Sequence, residues 1–190
     1  MSRITAITFT LLLSLVMQAQ STVSFVCVPV KGSKADFVKN IVSKGCYITE
    51  SGEVKVVLNG DTCTVTVNTV NDTVASVTAI EDKAFKDENA AANRYNTILE
   101  YYKKNREYTE YEHNNLTYLQ DPETIRKYIQ DGGYYYAEFF QITERSMQEF
   151  SRRLTITLVD MPDGYHIARS YDTTNDIVML DKNIGTTTNK

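Results

Sequence analysis

The stretch VKVVLNGDTCTVTVNTVNDTVASVTAI, Val54 to Ile80, decides the fold. Three runs rich in valine and threonine are separated by Asn59-Gly60 and Asn71-Asp72. Asn-Gly between apolar runs is the strongest short hairpin signal a sequence carries, because a type I′ turn needs positive φ at both central residues. A two-residue turn centred on Asn59-Gly60 sets Val56 opposite Cys63 and Val54 opposite Val65, so the apolar rows share one face. Upstream, "CYITE" turns at Ser51-Gly52. A two-residue turn there sets Cys46 opposite Val57 and puts Tyr47 in phase with the Val54/Val56 row. An antiparallel meander is the expectation.

Working outward, "STVSFVCVPV" (Ser21 to Val30) alternates apolar residues and reads as a strand. In "KGSKADFVKNIVSKG" Ser33 is an N-cap with Asp36 at the capping-box position. Phe37, Val38, Ile41 and Val42 form an apolar face, and Gly45 ends the helix. From Asp82 to about Arg106 the period lengthens. Phe85, Glu88, Ala92, Tyr95, Leu99 and Tyr102 recur every three or four residues, acids lie early and bases late, and a long amphipathic helix packed on the sheet follows. "EYTEYEHNNLTYLQ" suits an irregular strand. "DPETIRKYIQDGG" is a second short helix, with Asp121 as cap, Pro122 in the first helical position and glycines closing it. "YYYAEFFQI", "RRLTITLV" and "YHIARSY" read as strands, the last two paired through "DMPDG" with Leu158 opposite Ile167 and Leu154 opposite Tyr171.

The first twenty residues, MSRITAITFTLLLSLVMQAQ, carry a basic start, an apolar run from Ile4 to Val16 and a small residue at the end. This is the layout of a secretory leader, too short for the ~20-residue span of a transmembrane helix. The expectation is an exported protein, periplasmic or extracellular, with no transmembrane segment in the mature chain. Without the leader the basic residues fall by one from 20, against 24 acidic ones. The only basic cluster, "YKKNR", closes the long helix where cations complement its dipole, so a nucleic-acid partner has little support.

The three cysteines (27, 46 and 63) fit no zinc pattern and allow at most one internal bridge. Cys46 and Cys63 fall on opposite sides of one strand, roughly 9–10 Å apart. That exceeds the ~7 Å Cα limit for a disulfide. A bridge from Cys27 to either stays open, and buried thiols are the leading expectation.

Laying Ser33–Tyr47 over Asp121–Tyr135 matches cap to cap and Gly45 to Gly133, which suggests two repeated units of short helix followed by antiparallel meander. The expected class is therefore α+β. The expected division is a leader at 1–20, one domain over 21–182 and a loose tail at 183–190. Within the domain, repeat one covers about 22–80, the long helix about 82–106 and repeat two about 107–172.

In "DGGYYYAEFF" (Asp131 to Phe140) side chains alternate, so Tyr134, Tyr136 and Glu138 share one face while Tyr135 and Phe139 turn to the core. A binding face built on Tyr134, Tyr136 and Glu138 is the candidate site. Its partner would be another envelope or extracellular protein, or a glycan. Catalysis has no comparable signal. His113 and His166 stand near acids, but no nucleophile lies in a recognisable setting. No cofactor or metal is expected, and the chain is read as a non-enzyme; an envelope assembly or structural part is the alternative, ahead of a small hydrolase.

A tandem of short helix and antiparallel meander, behind a leader, resembles the β-lactamase-inhibitor-protein-like fold. "VPVKGSKADFVKNIVSKGCYI" is similar to the opening of small secreted proteins of Gram-negative gut anaerobes, which begin "G-x-P-V-x-G-S/T-K"; here Cys27 replaces the leading glycine. The resemblance implies a periplasmic or secreted protein, in a fold whose inhibitor members clasp another protein with a concave sheet. Asp72-Thr73-Val74 and Asp172-Thr173-Thr174 resemble the acceptor triplet that such bacteria O-glycosylate, which marks Thr73 and Thr173.

Overall fold

The computed structural model describes residues 22–110, 119, 136–142 and 152–173. The expected leader, the second short helix, Tyr134, His113 and the tail lie outside them. In chain order the elements are β1 (Ser24–Phe25), β2 (Val28–Pro29), α1 (Lys34–Val42), β3 (Tyr47–Ile48), β4 (Val54–Leu58), β5 (Asp61–Val70), β6 (Thr73–Glu81), α2 (Glu88–Lys104), β7 (Tyr108–Glu110), β8 (Tyr136–Gln141), β9 (Arg153–Met161) and β10 (Gly164–Asp172). The class is α+β.

Eight strands form one sheet in the order β3-β4-β5-β6-β10-β9-β8-β7, every neighbouring pair antiparallel. The turn signals account for most of it. Asn59 (φ 51°) and Gly60 (φ 88°) form the expected turn, as do Asn71 (48°) and Asp72 (60°). Val56 faces Cys63, Val54 faces Val65, Leu158 faces Ile167 and Leu154 faces Tyr171, as the apolar rows require. The two meanders join through their last strands, β6 and β10, in the middle of the sheet. Among the described residues α1 precedes the four strands β3–β6, and residues 121–133 precede the three strands β8–β10.

Both helices pack on one sheet face. Phe37 and Ile41 of α1 and Tyr95, Leu99 and Tyr102 of α2 share a core with Cys63, Val65, Val77, Ala79, Ile156 and Phe139. Ser33 caps α1 as expected, accepting the Asp36 amide at 3.2 Å.

Three expectations need correction. The first strand is instead a hairpin, β1–β2, turning at Val26 (φ 44°) and Cys27 (φ 63°). Neither residue type favours positive φ, so no turn signal was visible. The long helix begins at Glu88, capped by Asp87, rather than near Asp82. Phe85, placed in the helical pattern, is extended and exchanges two backbone hydrogen bonds with Tyr165, each 2.9 Å. Finally, the turn before β4 has three residues, not two. Gly52 donates to Thr49 O, Thr49 donates to Glu53 O, and Gly52 takes φ 85°, a type I turn with a glycine bulge. Tyr47 therefore faces Lys55 and lies on the opposite face from Val54 and Val56. Continuing that register sets Cys46 beside Val56, not Val57.

The Phe85–Tyr165 bridge also explains Gly164, which has φ +135° and where a Cβ would stand 2.7 Å from Phe85 O. At Gly52 the φ is again positive, but nothing lies within 4 Å of an added Cβ. Gly52→Ala is expected to lose about 1 kcal/mol through backbone strain. Gly164→Ala should lose more, roughly 2–4 kcal/mol, because the same strain is joined by a clash with backbone. Denaturant midpoints of the two variants provide the comparison.

Candidate functional site

The β5–β6 register shifts at Asn68/Thr69, beyond the row that contains Tyr136, so side chains alternate along that row and residues in register with Tyr136 define the face turned away from both helices. The row runs Tyr136–Thr157–Ala168–Ile80–Thr64–Lys55–Tyr47 across seven strands. Tyr136 is 48% exposed and Tyr47 46%, so a half-exposed ring stands at each end of the row. Six strand intervals separate them, roughly 29 Å along a flat sheet. Ala137 and Phe139, the alternate residues of β8, are fully buried, and Phe139 lies 5.8 Å from the Tyr102 ring of α2. The long helix thus covers the Phe139 side and leaves Tyr136 on the other.

Short polar side chains line the rest of this face. Thr78 and Ser170 share a hydroxyl hydrogen bond at 3.0 Å, and Asn68 donates to Ser76 at 3.1 Å. Toward the β4 end, Lys55 donates to Thr64 (2.6 Å) and to both Asp82 oxygens (3.1 Å). The centre is closed: Ala168, Thr157, Thr78, Ser76 and His166 are all buried. Glu138 points to the same side as Tyr136, but its side chain is only 13% exposed and lies 3.6 Å from Arg153, which also neighbours Asp172 at 3.6 Å. The accessible parts of the face are therefore its two ends. Of the three candidate residues, Tyr136 is open, Glu138 is largely enclosed, and Tyr134 is outside the described residues.

Sequence reading missed Tyr47 because its register was drawn through a two-residue turn. Gly52 at the third position of a three-residue loop is the signal that gives the right phase.

The second cluster that pattern reading did not reveal lies under α2. Glu81, fully buried, accepts from Arg94 Nε at 3.2 and 3.0 Å and from Arg94 Nη2 at 2.7 Å. Arg169, also fully buried, donates from Nη2 to the same carboxylate at 2.6 Å. Arg94 Nη2 meets Asp61 at 2.6 Å as well, so two arginines and two acids balance in charge. Beside them the hydroxyls of Tyr102 and Tyr171 are 3.1 Å apart. Burial pushes both phenols up from their ordinary range, so both keep their protons and one donates to the other.

All three cysteines are free; Cys46 and Cys63 are buried and Cys27 is exposed. Burial pushes the Cys46 thiol up to about 11. It raises Cys63 too, in spite of the Arg169 guanidinium 3.6 Å away, whose charge works in the opposite direction. Among the described residues no group of three or more His, Cys, Asp and Glu side chains is placed to hold a metal ion. Nor is any helix among them long and apolar enough to cross a membrane. His166 stands on β10 beside Asp163 with their side chains 3.0 Å apart. No family model, curated protein or solved structure matches the chain.

Thiol chemistry checks this arrangement. A thiolate-selective alkylating reagent at about pH 8, well below the raised thiols, should label Cys27 in the folded protein and all three cysteines in denaturant. Rapid labelling of Cys46 or Cys63 without denaturant would contradict the buried placement.

Proposed function

We propose that this chain is an exported, non-catalytic binding module that engages a protein or a glycan through the sheet face turned away from its helices. The observation that carries the reading is Tyr136, a half-exposed ring fixed on a strand paired along its length with β9. An aromatic side chain on a rigid element offers contact area at little entropic cost, which is what a binding hot spot needs. Tyr134 and Glu138 complete the assigned face. Glu138 acts mainly by holding Arg153 and the local surface in place, and Tyr47 is added at the far end of the row. The resemblance to β-lactamase-inhibitor-like proteins is consistent with one antiparallel sheet carrying its helices on a single side, and the two-unit reading rests on a four-stranded meander in each half of that sheet. Export rests on the leader-like opening of the sequence.

A second reading, an envelope assembly or structural part, draws on a different observation. Val57 (59% exposed) stands on the Tyr47 side of the β3–β4 edge and Ile48 (54%) on the other, so both sides of the sheet margin carry an exposed apolar side chain. Of the two acceptor-like threonines, Thr73 is exposed, whereas the Thr173 hydroxyl donates to Ala75 O at 2.8 Å. A sugar is accordingly assigned to Thr73 before Thr173.

Affinity capture from host envelope and culture fluid decides between the readings. Mature protein from Ser21 onward is compared with folded Tyr136→Ala, Tyr47→Ala and Val57→Lys variants. The binding-face reading predicts a partner retained by the native bait and lost, or weakened at least tenfold, with Tyr136→Ala, the scale of a hot-spot truncation. Loss with Val57→Lys alone would transfer the function to the sheet edge.

A further inference from the structure

The β9–β10 turn, Pro162-Asp163, is joined to the end of β6 through a single imidazole. His166 is 4% exposed; its Nδ1 lies 2.7 Å from Glu81 O and its Nε2 lies 3.0 Å from Asp163 Oδ1. A backbone carbonyl can only accept. An ionised carboxylate can only accept. Both ring nitrogens must then carry hydrogen, and the ring that fits this geometry is the imidazolium.

We propose that Asp163 and His166 form a proton-operated clasp on the β9–β10 turn, closed while the ring is charged and released when it becomes neutral. With one proton gone, Nδ1–H keeps the shorter bond to Glu81 O, and the Nε2 lone pair is left facing the Asp163 oxygen. The repulsion is relieved by rotating Asp163, whose side chain is 62% exposed, into solvent. The turn thereby loses its tie to β6, while the Phe85–Tyr165 bridge beside it keeps its own hydrogen bonds.

The surrounding charges leave this contact to the two partners. From β6, the Glu81 carboxylate is turned to Arg94 and Arg169 on the other face. Asp82, which the register places beside His166, is occupied by Lys55 and Thr64. From β9, the residue opposite His166 is Val159, and Asp160 faces Tyr165. From the linker before α2, Lys83 lies over the Phe85 ring at 5.0 Å. Lys86 helps to hold the Asp163 carboxyl below its ordinary range, after the larger effect of the His166 hydrogen bond. At the start of α2, Glu88 accepts the Tyr165 hydroxyl at 3.4 Å.

The sign follows from the two partners. The contact needs an ionised Asp163 and a ring protonated on both nitrogens. It is lost as pH falls through the lowered carboxyl titration, and it is lost when the ring gives up a proton. An asparagine at 163 presents either a carbonyl oxygen or an amide N–H, so it satisfies both ring states and removes the dependence.

The test follows the Asp163 and Gly164 amides of the whole mature chain by NMR from about pH 5 to about pH 8, the range in which an imidazole changes charge. In the native protein both resonances should shift together with His166 ring signals, and their exchange protection should fall several-fold on the alkaline side. Asp163→Asn and His166→Gln should abolish the linked shift. Should His166→Gln fail to fold, Asp163→Asn decides alone, since it alters an exposed side chain. A native chain without a histidine-linked shift at the turn, or an Asp163→Asn variant that keeps it, would overturn the clasp.

Discussion

A buried carboxylate organises this molecule. Glu81 ends β6 with no exposure, and it lies where the two meanders meet and where the long helix crosses. Left alone, an ionised carboxylate in that position would cost several kcal/mol. Arg169 reaches it from the facing strand β10 and Arg94 from α2, so one group collects a charged hydrogen bond from each of the elements that must assemble around it. Apolar packing alone is tolerant of small shifts of a helix over a sheet. A carboxylate that is satisfied in one docking position only is not. The hub therefore fixes which face α2 covers, and by exclusion which face is left to Tyr136.

That face is no general adhesive surface. Its middle is closed by short hydroxyl side chains already bonded to one another, and large exposed rings occur at its ends. Interface cores depend on a few well-supported aromatic or arginine side chains, with the surrounding residues contributing shape. Tyr136 meets that description because β8 is anchored on its hidden side by Ala137 and Phe139, both fully buried. The same strand supplies core on one side and the proposed contact on the other, as period-two alternation requires.

How much of this the sequence disclosed depends on whether the deciding signal is local. Turn chemistry at Asn59-Gly60 and Asn71-Asp72, the Ser33 cap and the apolar face of α2 are set within a few residues, and they appear as read. The misread elements have two causes, a distant contact that overrode the local pattern and a turn length read one residue short. Phe85 fits a helical period, yet its backbone pairs with Tyr165, eighty positions on, and the helix starts only after that pairing ends. The β1–β2 turn uses Val26 and Cys27 in a conformation that valine disfavours, held by burial of Phe25 and Val28 on either side. Tyr47 was misplaced by one residue of turn length, which moves a side chain from one face to the other. The Glu81 hub was out of reach for another reason. Its four members come from β5, β6, α2 and β10, and no spacing links them. A charged residue at an inward phase of a strand, as both Glu81 and Arg169 are, is the one trace they leave in the sequence.

The most direct test of this account is a double-mutant cycle on Glu81 and Arg169, read by chemical denaturation of the mature chain. Removing Glu81 leaves Arg169 a lone charge in the core, so Glu81→Leu should cost about 3–5 kcal/mol, whereas Arg169→Met, after which Glu81 keeps Arg94, should cost less. The double variant should cost clearly less than the two together, since Arg94 retains Asp61 and no isolated charge remains inside. Single variants that lose under about 1 kcal/mol each, with additive effects in the double, would show that the helix is seated by apolar packing and that the hub does not determine which face of the sheet stays open.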